Sequence, residues 1–396
     1  MRERKWYSLY DKVYSGANLQ RAWQQVKAGK GAGGIDGVSI QQYDASLPQN
    51  LSVLEHLLKT KQFKSHPVKR VYIPKANGKK RPLGIPTIRD RIVQQALLNI
   101  LQPIFDPLSA DCSYGFRPGR SAHDAIKAIE GHLNEGYTTI VDADISDFFG
   151  NVNHDLLLNA VNKHVADGSI LSLIKLFLQA GVMEEGQVKH VTTGTPQGGV
   201  ISPLLANIYL SGFDSFMLER GYRLVRYADD WVVLCKNQRK AEHALAIARK
   251  YLTNLGLSLN EEKTTIVDYR KGGSFAFLGY VFKRPYETDR KVPRKRARDA
   301  FKTRIKALTR RQQPKNVVMV IKTLNPVIRG WGNYFKYGDV KSLFAEYDSY
   351  IRMRLRSYAK KKRWVSKVAH STWPNKRLAD LGLVSLTALR EASRPQ

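Results

Sequence analysis

The chain carries two adjacent aspartates, Asp229 and Asp230, at the tip of a segment with the pattern of a hairpin. Apolar and β-branched residues flank the pair within positions 222 to 236, which predicts two strands joined by a tight turn. Neighbouring carboxylates repel each other unless a positive charge is bound beside them. The pair is therefore a candidate cation site, although for an isolated pair turn propensity alone is the simpler interpretation.

A second pair of carboxylates, Asp142 and Asp144, interrupts the apolar segment 138–145. Alternation at period two places both side chains on one face of the predicted strand. Charges in such a strand are costly unless they are paired, hydrogen-bonded or bound to metal. Phosphoryl transfer needs metal ions that bridge the reacting oxygens, and carboxylates from two strands hold hard cations such as Mg²⁺. Together the two pairs permit metal-dependent chemistry on phosphates.

The charge of the chain predicts its partner. Its 396 residues include 65 Lys+Arg against 34 Asp+Glu, a formal net charge of +31. This excess indicates a long polyanion, because an enzyme acting on small molecules does not need it. No apolar run approaches the length of a membrane span, so we expect no membrane partner. Cys112 and Cys235 lack metal-site spacing, which predicts neither zinc nor disulfides and is consistent with a reducing cytoplasm.

The elements that must position these carboxylates mix strands and helices. Residues 68–86 predict two strands around an Asn77-Gly78 turn, a basic hairpin that is either a solvated surface or an anion site. Residues 275–282 predict one strand with a glycine inside it. Between 283 and 367 there are 26 basic and 6 acidic residues on segments of helical period. Aromatic residues interleave with these charges, as in nucleic-acid-binding surfaces; they are Trp331, Tyr334, Phe335, Tyr337 and Trp364.

Five motifs in a fixed order make the sequence resemble the reverse transcriptases encoded by group II introns, also called intron maturases. The motifs are Ser113-Tyr-Gly-Phe-Arg-Pro-Gly-Arg120, Val141-Asp-Ala-Asp-Ile-Ser-Asp-Phe-Phe149, Thr195-Pro-Gln-Gly-Gly199, Tyr227-Ala-Asp-Asp230 and Arg329-Gly-Trp-Gly-Asn-Tyr-Phe335. One motif alone would have little weight. Five in the family's order, within a match from about residue 18 to about 360, are specific.

The resemblance implies an α+β fold, the right-hand polymerase with fingers, an antiparallel palm sheet with helices, and a helical thumb. The expected parts are fingers with an N-terminal extension at 1–110, palm at 111–282, thumb or maturase (X) domain at 283–367 and a short tail at 368–396. It further implies an RNA-directed DNA polymerase that uses an RNA template, a DNA or RNA primer, deoxynucleoside triphosphates and two Mg²⁺ ions, with Mn²⁺ as the alternative. Binding of structured intron RNA and assistance in splicing are also implied.

The resemblance assigns the catalytic carboxylates residue by residue. Asp144, Asp229 and Asp230 match the family's metal ligands, whereas Asp142 is interpreted as a structural carboxylate beside them. Lys263 stands where the family has a proposed proton donor to pyrophosphate, and a solvated lysine is the alternative. Leu278 and Gly279 lie in the segment that resembles the grip on the primer end.

The contacts to the incoming nucleotide are also implied by the resemblance. Lys75 and Arg81 match residues that hold the triphosphate, a role suited to cationic side chains. Phe149 would close the space that a ribose 2′-hydroxyl needs, and Gln197 would lie beside the nucleotide. Arg117 is a further candidate, with stabilisation of its own turn as the alternative.

Two other functions stay open at this point. One is a free-standing relative that serves host defence or DNA repair; the other is an RNA-binding splicing cofactor without polymerase activity. The intact carboxylates and Gln197 favour an enzyme, and Phe149 makes an RNA-copying RNA polymerase a poorer fit. Because no Cys-rich or His-Asn-His region is present, we expect no DNA endonuclease.

Overall fold

The computed structural model describes residues 5–74, 80–184, 187–189, 193–195, 198–284, 288–360 and 367–392. The chain divides into two compact units, Met1–Ile266 and Val267–Gln396. Within the described ranges, no helix combines the length and the apolar character that crossing a membrane requires. The four-part division expected from the resemblance stays a prediction.

The first unit contains more helix than strand, and polar side chains begin several of its helices. The Thr87 hydroxyl accepts a hydrogen bond from the Asp90 backbone, and Asn153 accepts two at the start of its helix, as N-cap residues do. A 3₁₀ turn follows at Asp106–Leu108. The helices are α1 Tyr10–Tyr14, α2 Gly16–Ala28, α3 Ile40–Ala45, α4 Leu47–Lys59, α5 Ile88–Phe105, α6 Ala122–Asn134, α7 Phe148–Asn151, α8 His154–Asn162, α9 Gly168–Leu178, α10 Ser202–Glu219 and α11 Gln238–Asn254.

The strands of the first unit form two four-stranded sheets. They are β1 Val68–Pro74, β2 Lys80–Ile85, β3 Thr139–Asp144, β4 Val182–Glu184, β5 Gln187–Lys189, β6 Arg223–Tyr227, β7 Asp230–Cys235 and β8 Thr265–Asp268, the last of which begins in the first unit and ends after its boundary. One sheet has the order β2-β1-β4-β5; the other, here named the carboxylate sheet, has the order β6-β7-β3-β8. Since β3, β7 and β6 pair antiparallel, the expected α+β class with an antiparallel sheet and helices is confirmed.

The carboxylate sheet is fixed in place because its apolar strands are buried and packed against a helix. From Trp231 to Cys235 every residue of β7 is buried, the pattern of a strand covered on both faces. On α11, small and apolar residues recur at helical spacing, and this helix packs on β3 and β7. The ends of these strands therefore provide a fixed base for the carboxylates.

The second unit combines a small sheet with helices, and it corrects one expectation. Residues 275–282 do not form one strand: Leu278 and Gly279 have φ values of 46° and 82°, so the chain reverses between two antiparallel strands. Positive φ at both central positions is the property of a two-residue type I′ turn. The elements are β9 Ser274–Phe277, β10 Tyr280–Lys283, β11 Arg290–Pro293, α12 Lys295–Leu308, α13 Val317–Phe335, α14 Lys341–Ala359, α15 Lys367–Thr372, α16 Asn375–Asp380 and α17 Leu386–Glu391.

Aromatic residues of the second unit mostly build its core. Trp331 stacks on Phe301, with ring centroids 4.5 Å apart, and also contacts Phe335 and Tyr347. The Trp331 ring thus packs between α12, α13 and α14 and is only partly exposed, and its expected role in a nucleic-acid surface stays a prediction. Tyr337 is half exposed. Trp364 lies outside the described residues.

Candidate active site

Register and turn geometry bring three carboxylates to one end of the carboxylate sheet. Asp144, the last residue of β3, lies directly opposite Asp230, the first residue of β7. Asp229 occupies the two-residue turn between β6 and β7, together with Ala228. Ala228 has φ = 59°, a left-handed conformation that lets the chain reverse in two residues. Positions 85 residues apart in sequence are thereby neighbours.

The electrostatics of this cluster favour a bound cation. The pKa of Asp230 is raised to about 6 by loss of surrounding water and then by repulsion from Asp229, Asp144 and Asp142. The side chain of Asp230 is nevertheless exposed, so solvent screens part of this repulsion. The pKa of Asp229 is also raised, by burial and by Asp144. A positive charge placed among these groups would relieve the repulsion.

Lys263 supplies one such charge. Its Nζ lies 2.5 Å from Oδ2 of Asp144, although the lysine side chain is 63% exposed. The segment that carries it is fixed to the sheet, since the backbone N–H of Asn260 donates to the Asp144 carbonyl and that of Lys263 to the Asn260 carbonyl. Hydrogen bonds of the backbone thus position Lys263 beside the carboxylates, while most of its side chain stays exposed to solvent.

The carboxylates suit a hard divalent cation in their donor chemistry. Among the residues that the structure describes, no three His, Cys, Asp or Glu side chains close into a ready metal cage. Mg²⁺ does not require one, because it retains several waters and is commonly held by one or two carboxylates plus substrate phosphates. Asp144, Asp229 and Asp230 could therefore supply the protein's share of the ligands to such an ion, and water and substrate phosphates would supply the rest.

Phe149 follows the carboxylate strand directly. It lies in α7, half-buried, with its ring edge-on to Phe148 at 5.2 Å between centroids. Phe148 is buried in the core. Phe149 also lines a cavity of about 200 Å³, together with Arg70 and Gly84 of the first sheet and with Thr195. The gate residue expected from the sequence thus faces a space between α7 and the basic hairpin.

Gly194 and Thr195, which precede Gln197 in the chain, are hydrogen-bonded to α7 and α8. The backbone N–H of Thr195 donates to the Phe149 carbonyl at 2.7 Å, and the Gly194 carbonyl is 2.6 Å from Nε2 of the buried His154. Gly198 has φ = 117°, and a Cβ there would lie 2.4 Å from the Gly84 carbonyl oxygen, so only glycine fits. Gln197 itself lies outside the described residues.

The basic hairpin carries both residues expected to hold the triphosphate. Arg81 lies on β2 opposite Ile73, with an exposed side chain. Its positive charge acts to lower the pKa of Asp229, against the larger effect of burial. Lys75 lies outside the described residues.

Arg117 has other partners. Its guanidinium donates to the side chain and carbonyl of Asp106 and to the carbonyls of Ala110 and Ser113, at 2.8 to 3.0 Å. Its side chain is only 7% exposed. These contacts favour the alternative role, stabilisation of the loop that contains it.

A buried ion pair behind the carboxylate turn was missed by the sequence analysis. Arg226 and Asp214 are 1% and 0% exposed and lie 2.5 Å apart at their closest atoms. The signal was present in the sequence: Arg226 interrupts an apolar strand and Asp214 an apolar helix, and a charge in such a place requires a partner.

In the second unit, the β9–β10 turn with Leu278 and Gly279 is fixed by two hydrogen bonds. The Tyr334 hydroxyl donates to the Leu278 carbonyl at 2.6 Å, and the backbone N–H of Arg294 donates to the Gly279 carbonyl at 2.9 Å. The expected primer-grip residues therefore form a rigid hairpin tip on this unit.

Comparison with known families and proteins gives consistent matches. Residues 73–282 match the reverse transcriptase (RNA-dependent DNA polymerase) family, and residues 298–378 match the group II intron maturase-specific domain. Protein YkfC of Escherichia coli strain K12 is 35% identical over 286 residues, which cover 62% of this chain and 74% of YkfC. The group II intron-encoded protein LtrA of Lactococcus lactis subsp. cremoris is 40% identical over 199 residues, covering 50% of this chain and 33% of LtrA.

Solved structures similar to the chain include one described as a partial Cas6-RT-Cas1--Cas2 complex. The similarity has a TM-score of 0.41 and 25% sequence identity, and covers 63% of this chain and 42% of that chain. The family matches account for both the carboxylate sheet and the basic helical segment after it. The chain therefore belongs to the reverse transcriptase family, as an RNA-directed DNA polymerase of the group II intron type with a maturase-specific domain.

Proposed function

We propose that Asp144, Asp229 and Asp230 are the catalytic carboxylates of nucleotidyl transfer and hold two Mg²⁺ ions, or Mn²⁺ as the alternative. Such ions neutralise charge that develops on the reacting phosphate and orient the attacking and leaving oxygens. The protein's part is to hold the carboxylates at fixed positions. The observation that carries the proposal is the register that sets Asp144 against Asp230 beside the Asp229 turn.

We propose further that the residues around this cluster select and orient the deoxynucleotide. Phe149 blocks the space of a 2′-hydroxyl, and Arg81, with Lys75, holds the triphosphate. Gln197 contacts the incoming nucleotide. Lys263 delivers a proton to the leaving pyrophosphate from its position beside Asp144. The exposed cationic side chain of Arg81 on β2, whose charge acts on Asp229, supports this assignment.

The nucleic acids proposed as substrates are an RNA template and a DNA or RNA primer, with Leu278 and Gly279 at the primer end. We propose that the helical, basic region 283–367 acts as thumb, binds structured intron RNA and assists splicing. Its excess of cationic residues supports binding to a phosphate backbone. The fingers, palm and tail divisions at 1–110, 111–282 and 368–396 belong to the same proposal. Reactions on RNA and deoxynucleotides, together with two free cysteines, are consistent with a cytoplasmic enzyme.

The test is primer extension by the purified chain on an RNA template with Mg²⁺ and deoxynucleotides. We expect Asp144→Asn and Asp229→Asn to lower kcat by at least about 10³-fold, because the ions supply several kcal/mol of charge stabilisation. Asp142→Asn, on the same strand face, serves as the control and should have a much smaller effect. Wild-type protein that binds the primed template and extends nothing would overturn the proposal and leave the splicing-cofactor function.

A further inference from the structure

The buried Arg226–Asp214 pair lies immediately behind the proposed catalytic turn. We infer that it is a clamp that sets the conformation of this turn, so that Arg226 is a positioning residue for catalysis; the inference rests on the proposed function of Asp229. Arg226 is three residues before Asp229, on the strand that enters the turn. The clamp holds the backbone of the turn from which the Asp229 side chain projects.

Arg226 uses all five of its N–H donors. Nε donates to Oδ1 of Asp214 at 2.7 Å and Nη2 donates to Oδ2 at 2.5 Å, a bidentate pair. Nη1 donates to the Ala228 carbonyl at 2.9 Å and to Oδ1 of Asn207 at 3.1 Å. The remaining Nη2 proton goes to the hydroxyl of Ser113 at 2.8 Å. A planar guanidinium with every donor engaged has one orientation.

The bond to the Ala228 carbonyl reaches the strained part of the turn. Ala228 has φ = 59°, a conformation that non-glycine residues adopt rarely and at some cost in energy. Such a conformation persists only where the surrounding structure determines it. The Arg226 guanidinium is the side-chain contact that fixes the carbonyl oxygen of this residue.

The loop before α6 closes the other side of the turn. The backbone N–H of Arg226 donates to the Cys112 carbonyl, that of Tyr114 donates to the Arg226 carbonyl, and the Asn207 amide donates to the Gly115 carbonyl at 2.8 Å. A Cβ on Gly115 would lie 2.4 Å from the Ala228 nitrogen. The loop, α10 and the turn are therefore joined by these bonds and also by the guanidinium, which contacts a side chain or carbonyl in each of them.

Stability alone does not account for a charged pair at this position. Taking both ions out of water is costly, and replacing a buried ion pair by apolar residues of similar volume is often neutral or stabilising. An apolar pair would fill the space but offer no donor to the Ala228 carbonyl. Catalytic groups must be held within about 0.5 Å of their productive positions. The function of the pair is therefore to hold the turn in one conformation.

The test separates folding from positioning with the double variant Arg226→Met, Asp214→Leu. We expect a melting temperature close to that of the wild type, a kcat lowered about 10- to 100-fold, an unchanged Kd for primed template and a higher Mg²⁺ concentration for half-maximal rate. The matched control removes a distant exposed ion pair of α2 and α3, Lys27→Gln with Asp44→Asn, and should change none of these.

Arg226→Lys provides a second test if the double variant does not fold. A lysine keeps the charge opposite Asp214 but has no planar fork, so we expect retained fold and at least a tenfold lower kcat. A folded double variant or a folded Arg226→Lys variant with wild-type kcat and Mg²⁺ dependence would overturn the clamp. Asp229→Asn is measured alongside: if it remains active, the proposed function fails instead.

Discussion

Lys263 Nζ and Asp144 Oδ2 lie 2.5 Å apart, although 119 residues separate them in sequence. The contact neutralises part of a cluster whose members raise one another's pKa. It also keeps an ammonium group beside a proposed catalytic carboxylate. One lysine thereby serves the electrostatics of the resting site and supplies a candidate proton donor.

Replacing Lys263 by alanine is expected to lower kcat by about 10²-fold, the usual size of a general-acid contribution. Binding of primed template should stay the same, because the lysine faces the carboxylates. Single-turnover extension checks this, with the exposed Lys250→Ala on α11 as control. An unchanged single-turnover rate would exclude the proton-donor role.

Replacing Phe149 by alanine is expected to reduce discrimination against ribonucleotides by at least tenfold. The physical reason is the space opened for the 2′-hydroxyl; a difference of 1.36 kcal/mol corresponds to about tenfold. The ratio of kcat/KM for a deoxynucleotide and its ribonucleotide is the measurement. Phe148→Leu, a change in the adjacent core ring, should leave that ratio constant. Equal ratios for wild type and Phe149→Ala would remove the gate assignment.

The carboxylate of Asp167 is expected to make part of the free energy of unfolding depend on pH. Burial raises its pKa, but hydrogen bonds from the backbone of Leu9, Tyr10, Ile170 and Ser169 outweigh this and lower the pKa below 3.8. Stability from a lowered pKa is present above the unfolded value and is lost as pH falls through the folded value.

We therefore expect Asp167→Asn to lower the free energy of unfolding by about 1–3 kcal/mol near pH 7. The difference from wild type should shrink as the pH approaches and passes below 3.8, where the wild-type carboxylate also becomes neutral. Urea denaturation across this range measures it. A difference that stays constant with pH would contradict the assignment.

Salt dependence tests the basic surface of the second unit. Lys306, Arg310 and Arg311 line one concavity with Arg354. Each phosphate contact contributes about 0.7 to the slope of log K against log salt for a single strand. Arg310→Ala with Arg311→Ala should therefore lower the slope for RNA by about 1.4 if both contact phosphate. Lys27→Ala with Lys30→Ala on the first unit is the control, and an identical slope for both double variants would contradict the assignment.

A buried carboxylate anchors the start of α17, the last helix that the structure describes. Asp348, 5% exposed, accepts hydrogen bonds from the Ser385 hydroxyl and from the backbone of Leu386 and Thr387, at 2.7 to 3.0 Å. Asp348→Ala leaves these donors unpaired, at about 1–3 kcal/mol each. We expect faster trypsin cleavage near Arg377 and a lower melting temperature. Exposed Asp380→Ala is the comparison, and equal cleavage rates for the two variants would argue against the anchor.

Local sequence patterns were sufficient to predict elements that depend on interactions between residues close in sequence. Alternation of apolar residues predicted β3 and β7 and the common face of Asp142 and Asp144, because side chains of a strand alternate strictly. The caps observed at Thr87 and Asn153 have the same local origin, since N-cap chemistry acts over three residues. The strand predicted at 275–282 was wrong because nothing in its apolar composition reveals positive φ at Leu278.

The sequence by itself determined the family, the order of its motifs, the basic charge and the identity of the candidate carboxylates. Only the tertiary structure decided which groups meet. Asp144 lies opposite Asp230, Lys263 contacts Asp144, Arg117 bonds to its own loop and to Asp106, Trp331 stacks on Phe301, and Arg226 bonds to the Ala228 carbonyl. The physical reason is that these relationships join residues up to 119 positions apart. Strand register, burial and the need of buried charges for partners fix them, and those are properties of the packed chain.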